Sequence, residues 1–531
     1  PPAGPLPEAT LSGHSEHLGT CILDVQFTGY GLEEGDVVQV LLGTPESYPV
    51  IAPVHPMTYW LVTAVDAQGS GEYRRIAQSP TLKVVGGPAA RFQVTAPAVV
   101  APGQPFQVMA TAIDAYNENP ASGYRGDAAL ATQEGSAQVE PRPEACPGPH
   151  RRFQAQSSGP ALLRFTAVDQ QNGLAGSSHY ISSGSFDPSV AGLGLFFGDI
   201  HTHGYNCDGI GTIEDAYRWA REARALDFVA RTNHAEGAKR RCVADFWPEV
   251  IQAAQQWYQP GRFVPFLAFE WGGWDLFGDK CVYYRDAEGP ILSASDPRSN
   301  TPDRLWQALG QRQALTIPHH PMYGGHTDWR YHDPRFQRLV EVYSTWGPSE
   351  AGGETSVQAA WARGLRLGVI ASSDEHRGQP GNPWGGLACV WAPELTREAL
   401  FDALWSRRCY GTTGARILVA FSVNGLPMGQ ELTAAPGAKL MLRARVAGAS
   451  PIRELALVRD NEDTWVYRDL GHVAEVEVST HAPQRGGAFY YLRVTQSDRQ
   501  MAWSSPVWVD VADRGEQQGA AARPAAAADS E

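Results

Sequence analysis

The chain has 531 residues, 43% hydrophobic and 19% charged, with a formal net charge of −14. At ~100–200 residues per domain, that length gives three or four domains of ordinary globular composition. The acidic balance argues against nucleic-acid or anionic-membrane binding, which needs a basic face; no apolar run reaches the ~18–20 residues of a membrane span, and the seven scattered cysteines include no CxxC pair for a zinc ribbon or a dithiol couple.

Residues 1–18 are rich in Pro, Gly and polar side chains and read as a flexible leader. Between residues 19 and 88, CILDVQFTGY, DVVQVLLG, MTYWLVTAVDA and TLKVVGG are short β-type runs separated by turn residues, which predicts a β module. Residues 89–190 repeat the pattern in RFQVTAP, PFQVMATAIDA, RRFQAQ and ALLRFTAVD. Strands at this spacing predict a β-sandwich, and APGQPFQVMATAIDAYNENP resembles the second strand region of an immunoglobulin-like domain.

The texture changes at residue 191. Strands now alternate with helical segments, the signature of βα units. Thr212 is placed to cap a helix whose Ala216, Trp219, Ala220 and Ala223 share one face. Further helices are predicted at 244–258, in DRLWQALGQ, near 354–363 and in LTREALFDALWSRR, each followed or preceded by an apolar strand. Six or seven such repeats, with no GxGxxG after any strand, predict an α/β closed or distorted TIM-like barrel over residues 191–416 rather than an open dinucleotide-binding sheet. Alternating β patterns return over residues 417–512 as a C-terminal β module, with an Asn424-Gly425 hairpin turn. Residues 513–531, rich in Ala, Gln and Pro, read as a disordered tail.

Within the middle domain, successive strands end in residues of metal-ligand type. They are His201 and His203 after GLFFGDI, His234 after DFVARTN, Glu270 after FLAF, His319 and His320 after LTIP, and Asp374 and His376 after VIASS; Glu341 lies in LVEVYS and Asp208 in the first loop. Alternate residues of a strand share a face, so His201 and His203 point the same way. Unpaired imidazoles and carboxylates gathered at adjacent strand ends are costly unless a cation joins them. The set is too large for one tetrahedral zinc and suits two or three divalent ions of Mn, Fe or Zn. Paired ions of this kind activate a hydroxide and clamp the oxygens of an in-line displacement, which fits phosphoester hydrolysis. Arg231, Lys280, Arg377 and Arg416 flank the motifs as partners for a phosphoryl group, Arg377 first among them. Trp271, Trp274, Trp329, Trp346 and Trp384 each lie in a loop after a strand-end motif and either line a pocket or pack the barrel against the β modules.

The HxH pair, Asp208-Gly209, Thr232-Asn233-His234, SSDEH and LTREALFDALWSRRCYGTTGARI together resemble the PHP (polymerase and histidinol phosphatase) metallo-phosphoesterase superfamily, in a branch known as DUF3604, over roughly residues 190–430. The resemblance implies a PHP-type distorted TIM-like (β/α)7 barrel, flanked here by N- and C-terminal β-sandwich modules. It also implies that His201, His203, Glu270 and Asp374 hold one ion, that Glu270 bridges to a second held by His320 and Glu341, and that Asp208, His234 and His376 hold a third. His319 is then left either behind the ligands or as a substrate-facing acid/base group beside Arg377, and Arg231, Lys280 and Arg416 bind substrate. Asn233 departs from the usual T-D-H, and Glu341 stands where His or Cys is usual. The YGTTGARI run either presents hydroxyls near the barrel mouth or forms the polar turn into the C-terminal module; the turn is the reading preferred.

The function expected is a metal-dependent phosphoric-ester hydrolase, mono- or diesterase, acting on a small anionic substrate through a metal-bound hydroxide. It would be a soluble protein, cytoplasmic or periplasmic, with no nucleic-acid partner and no set oligomeric state. Two alternatives stand beside it: an amidohydrolase-type C–N or C–O hydrolase, which also begins with HxH, and a non-catalytic polymer-binding protein carried by the β modules.

Overall fold

A computed structural model of the chain describes residues 8–16, 20–28, 37, 52–66, 69–142, 148–205, 207–236, 243–324 and 326–512. They divide into two compact units, residues 1–86 and 87–531. The predicted tail at 513–531 and all of DVVQVLLG except Val37 lie outside the described residues.

In the first unit, Glu8–Glu16 pairs antiparallel with Thr20–Thr28, so part of the stretch whose composition indicated a flexible leader is a strand. Two shorter antiparallel pairs follow, Thr58–Trp60 with Thr81–Lys83 and Ala64–Val65 with Arg74–Arg75.

The second unit begins with two facing sheets. One orders Ala137–Pro141, His150–Ser157, Pro105–Ile113 and Arg91–Thr95; the other is built on Ala161–Asp169 and includes Ala129–Glu134, Leu174–Ser177, Ile181–Ser183 and Val99–Val100. Period-two alternation drives this packing: Phe106, Val108, Ala110 and Ala112 of one strand meet Phe153, Leu163 and Phe165 in a common core.

Ten strands follow that position the site: β1 (Gly194–Asp199), β2 (Phe228–Ala230), β3 (Val264–Phe266), β4 (Ala268–Trp271), β5 (Lys280–Tyr284), β6 (Ala314–Pro318), β7 (Leu339–Ser344), β8 (Gly368–Ala371), β9 (Leu387–Ala392) and β10 (Cys409–Thr412). As the βα alternation predicts, β1, β2 and β3 run parallel, and so do β7 and β8. The rest departs from a parallel barrel. Strands β4, β5 and β6 form an antiparallel ladder of their own, while β9 pairs antiparallel with β1 and β10 antiparallel with β9. The short link at 272–279 explains the first departure, since a parallel crossover needs a dozen or more residues and a hairpin does not. Hydrogen-bonded ladders therefore divide these strands among three sheets. Single parallel bridges, His234 to Glu270 and Thr202 to Glu375, link neighbouring strand ends across them.

The described chain is mostly β, with short helices. Thr212 accepts from Asp215 N–H and caps α1 (Ile213–Arg218), with Glu214 and Asp215 in its first turn. A π-type turn then takes over at Trp219–Ala223. Ile213, Ala216 and Tyr217 of α1 enter the core with Ala220 and Ala223, and Trp219 does not. Helices α2 (Trp247–Gln256), α3 (Pro302–Leu309), α4 (Val357–Ala362) and α5 (Arg397–Trp405) pack their apolar faces on the strands. Thr301, Ser356 and Thr396 cap the last three.

The long sheet does not stop at β10. That strand pairs antiparallel with Met501–Ser504, which leads into Gly487–Gln496, Ile452–Arg459 and Glu462–Arg468. A second sheet of Leu418–Val423, Lys439–Ala447 and Val473–His481 completes the C-terminal module. The YGTTGARI run makes this passage: Tyr410 OH donates to Ile417 O, Thr413 Oγ1 to Gln500 Oε1, and both residues are buried, in agreement with the turn reading.

Candidate metal centre

Ligand-type side chains converge where β1, β2, β4, β6, β7 and β8 end. The deepest group is His201, His203, Glu270 and Asp374. His201 Nε2 lies 3.3 Å from Glu270 Oε2 and 3.2 Å from Asp374 Oδ1; His203 Nε2 lies 3.1 Å and 3.2 Å from the same two atoms. Ligands at about 2.0–2.1 Å from a tetrahedral ion are separated from one another by about 3.3 Å. Those four distances match the edges of such a shell, and His203 Nε2 has no hydrogen-bond partner. The donor set fits a divalent cation of Mn, Fe or Zn type.

The other oxygen of Glu270 faces a second group. Oε1 lies 3.4 Å from His234 Nδ1 and 3.3 Å from His319 Nε2. Nearer solvent is a third: Asp208 lies 3.4 Å from both His234 Nε2 and His376 Nε2, and the His376 ring stacks on His203 at 4.2 Å. His203, Asp208, His234 and His376 each offer a ligand atom within 4.8 Å of the others, as do His201, His203 and Asp374. Exposure rises outward, from His201 at 0% to His234 at 20% and Asp208 at 36%, so the third group is the one a solute meets first.

The electrostatics follow from this crowding. Burial would raise the carboxyls of Glu270 and Asp374, but the imidazoles around them win and hold both well below the usual range. Burial would depress His234, yet Glu270 and Asp208 push it up to about 10. Burial takes His319 down to about 3 despite Glu270. Carboxylates that draw protons onto imidazoles draw divalent cations to the same place, and binding then displaces the protons.

Every strand-end residue singled out in the sequence lies in or beside this cluster, with changes of place for two. Glu341 lies behind it: Oε2 accepts from His201 Nδ1–H at 2.9 Å and Oε1 from His320 N–H at 3.4 Å. His319, expected behind the ligands or facing the substrate, is 1% exposed with its ring 4.2 Å from that of His201, and so sits among the ligand-type groups. His320, whose Nδ1 bonds Tyr323 O at 2.9 Å, is at the edge, with Nε2 3.7 Å from Asp374 Oδ2. Backbone strain collects here: His320 and Asp374 have φ of 27° and 52°.

Three of the expected substrate cations are directed elsewhere. Arg231 is buried and bonds His203 O and Thr212 O, close to Glu375. Lys280 Nζ bonds Phe277 O and Gly278 O beneath the Trp271 ring. Arg416 bonds Arg224 O and Ala225 O and covers Phe197. Buried cations satisfy themselves on carbonyls, and sequence alone does not show which arginines are buried. Arg377 is exposed, next to His376, with its backbone N–H on Glu375.

Of the tryptophans, Trp271 and Trp329 are core residues bonded to Ser299 O and Thr355 O. Trp346 and Trp274 are 56% and 53% exposed and belong to the cluster's rim: Trp346 Nε1 donates to Asp374 Oδ2 at 2.6 Å, and Trp274 stacks on His234. Trp384 is also exposed. Sequence reasoning passed over three residues. Cys207 Sγ lies 2.9 Å from Asp208 Oδ1, Cys281 groups with His201, Glu270 and His319, and Asp279 groups with His319 and His320. Asp279 immediately precedes β5 and Cys281 is its second residue, and strand register was the only signal for them. Asn233 Oδ1 accepts from Gly204 N–H, so the departure from T-D-H anchors the loop after the HxH pair.

The family described as “Protein of unknown function (DUF3604)” matches residues 222–325 and 379–436. Uncharacterized proteins of Chlamydia pneumoniae and Chlamydia trachomatis are 27% identical over 358 residues and 29% identical over 383. Each alignment covers 60% of this chain and 57% or 58% of the relative, so the chain spans under three-fifths of their length. A solved structure from Bacteroides vulgatus, a two-domain protein containing a predicted PHP-like metal-dependent phosphoesterase, aligns with 59% of this chain and 96% of its own, at 13% identity and a TM-score of 0.32.

Proposed function

We propose that the chain is a metal-dependent hydrolase of phosphoric esters, a PHP-type protein of the DUF3604 branch, with two or three divalent ions held at the strand ends. The observation that carries this reading is the near-tetrahedral spacing of His201, His203, Glu270 and Asp374, continued by Glu270 into a second group. Ions bound there would supply a nucleophilic oxygen at neutral pH and take up charge developing on the phosphoryl oxygens.

The chain's own residues do the rest. Glu341 holds His201 by its Nδ1–H, which turns Nε2 toward the cluster. Trp346 fixes Asp374 by one oxygen and leaves Oδ1 for the two histidines. Arg377, beside His376 and exposed, is assigned to the non-bridging phosphoryl oxygens. Trp274 and Trp346 wall the entrance and keep water from the deeper groups. The bridges from Thr202 to Glu375 and from His234 to Glu270 support closure of the middle strands into a distorted barrel over residues 191–416, between β modules at 19–88, 89–190 and 417–512.

The test is a panel of chromogenic phosphate monoesters, phosphate diesters, phosphonates and carboxyl esters, assayed with Mn²⁺ and with chelator. Phosphate-ester turnover that chelator abolishes and Mn²⁺ restores is expected. Chelator-insensitive turnover, or turnover of carboxyl esters alone, overturns the proposal.

A further inference from the structure

Asp279 is an aspartate immediately before β5 that no strand-end pattern singles out. It is 6% exposed and has no ion pair among the described residues. The neighbouring Lys280 ammonium is engaged by Phe277 O and Gly278 O. Asp279 Oδ1 accepts from Trp274 N–H at 2.8 Å, which orients the carboxylate. One ligand atom each of Asp279, His319 and His320 lies within 4.8 Å of the other two. His319 is 1% exposed, and neither ring nitrogen has a hydrogen-bond partner, although Nε2 lies 3.3 Å from Glu270 Oε1. A buried carboxylate without a cation, beside a buried imidazole without a partner, is a costly arrangement unless an ion joins them.

Glu341 does not fill that role. Its two oxygens take the N–H groups of His201 and His320, and it shares no ligand cluster with either histidine.

We infer that Asp279, rather than Glu341, is the carboxylate that completes a cation position with His319 and His320, and that Glu341 is a positioning residue acting through His201. The inference rests on the metal-centre reading above and adds a ligand to it. One oxygen and two imidazole nitrogens suit a divalent ion of Mn, Fe or Zn type and leave coordination positions open. A φ of 27° at His320 and of 45° at Trp274 shows the two flanks of this position held in backbone conformations rare for such residues.

The experiment is titration of chelator-stripped full-length chain with Mn²⁺ and with Zn²⁺, followed by elemental analysis, for wild type, Asp279→Asn, His320→Gly and Glu341→Gln. Glycine accepts the backbone at 320, so His320→Gly deletes the ligand without adding strain. Asp279→Asn and His320→Gly are each expected to bind one ion fewer than wild type. Glu341→Gln should keep the wild-type count with affinity weakened ~10–100-fold, the usual effect of removing a group that orients a ligand. Asp279→Asn with the full count overturns the inference, as does Glu341→Gln with one ion fewer. Should Asp279→Asn fail to fold, His320→Gly decides, and a full count there overturns it. A wild-type chain that takes up no ion removes the metal-centre reading itself, a different outcome from the failure of Asp279 alone.

Discussion

Glu270→Gln is the most discriminating single change, because this side chain faces two groups with different atoms. Oε2 lies 3.3 and 3.1 Å from His201 and His203, and Oε1 lies 3.4 and 3.3 Å from His234 and His319. A carboxamide has the same shape but only one oxygen, so it serves one group and turns N–H donors toward the imidazoles of the other. Loss of a group that merely orients a ligand costs 10–100-fold in metal affinity; loss of the ligand itself should cost at least about 100-fold, or about 2.8 kcal/mol. Neutralising the shared charge weakens the position that keeps its oxygen as well. Asp374→Asn differs, since only Oδ1 faces the histidines and Trp346 holds Oδ2. Elemental analysis after dialysis against micromolar Mn²⁺ should therefore find Glu270→Gln short by more ions than Asp374→Asn, with both inactive on any ester the wild type cleaves. Equal losses in the two variants would refute the claim that Glu270 bridges.

Other expectations come from parts of the structure outside that carboxylate. Denaturant unfolding with and without chelator should differ by about 2.7 kcal/mol for each ion present at a hundred times its Kd; coincident curves would show that the folded chain holds none. Glu350→Ala should cost about 3–5 kcal/mol by urea unfolding, because buried Glu350 accepts from Tyr491 OH at 2.7 Å, Arg493 Nη1 at 3.0 Å and Trp503 Nε1 at 2.8 Å; a loss under 1 kcal/mol would show that water replaces it. Burial raises Asp227 to about 6, with Arg416 opposing. The folded state therefore holds this proton more tightly than the unfolded chain, and the stability it lends is present below about pH 4 and lost as pH rises through 6. Asp227→Asn, whose amide oxygen still accepts from Phe197 N–H, should gain on the order of 1–3 kcal/mol over wild type between pH 4 and pH 7. A gap that stays constant with pH would show that Asp227 does not titrate there.

Strand periodicity carried the reading of the site a long way. A period of two placed His201 and His203 together, and apolar runs ending in His234, Glu270 and Asp374 brought distant segments to one place. Three things were beyond it. Whether Arg231, Lys280 and Arg416 reach solvent depends on which carbonyls surround them, and that is a property of packed loops. Asp279 and Cys281 enter the site through the antiparallel pairing of β5 with β4 and β6, whereas the predicted parallel barrel has no such pairing. Glu341 was a candidate by its place in an apolar run and a ligand by the family resemblance; neither shows the imidazole N–H of His201 that stands in front of it.

The antiparallel pairing of β10 with Met501–Ser504 also limits how the molecule can be dissected. A fragment cut at residue 416 would leave β10 with bare amides and carbonyls along one side, an invitation to self-association. Six other strands of that sheet arrive from sequence further downstream, so residues 191–416 and the C-terminal module are better expressed, purified and assayed as one polypeptide.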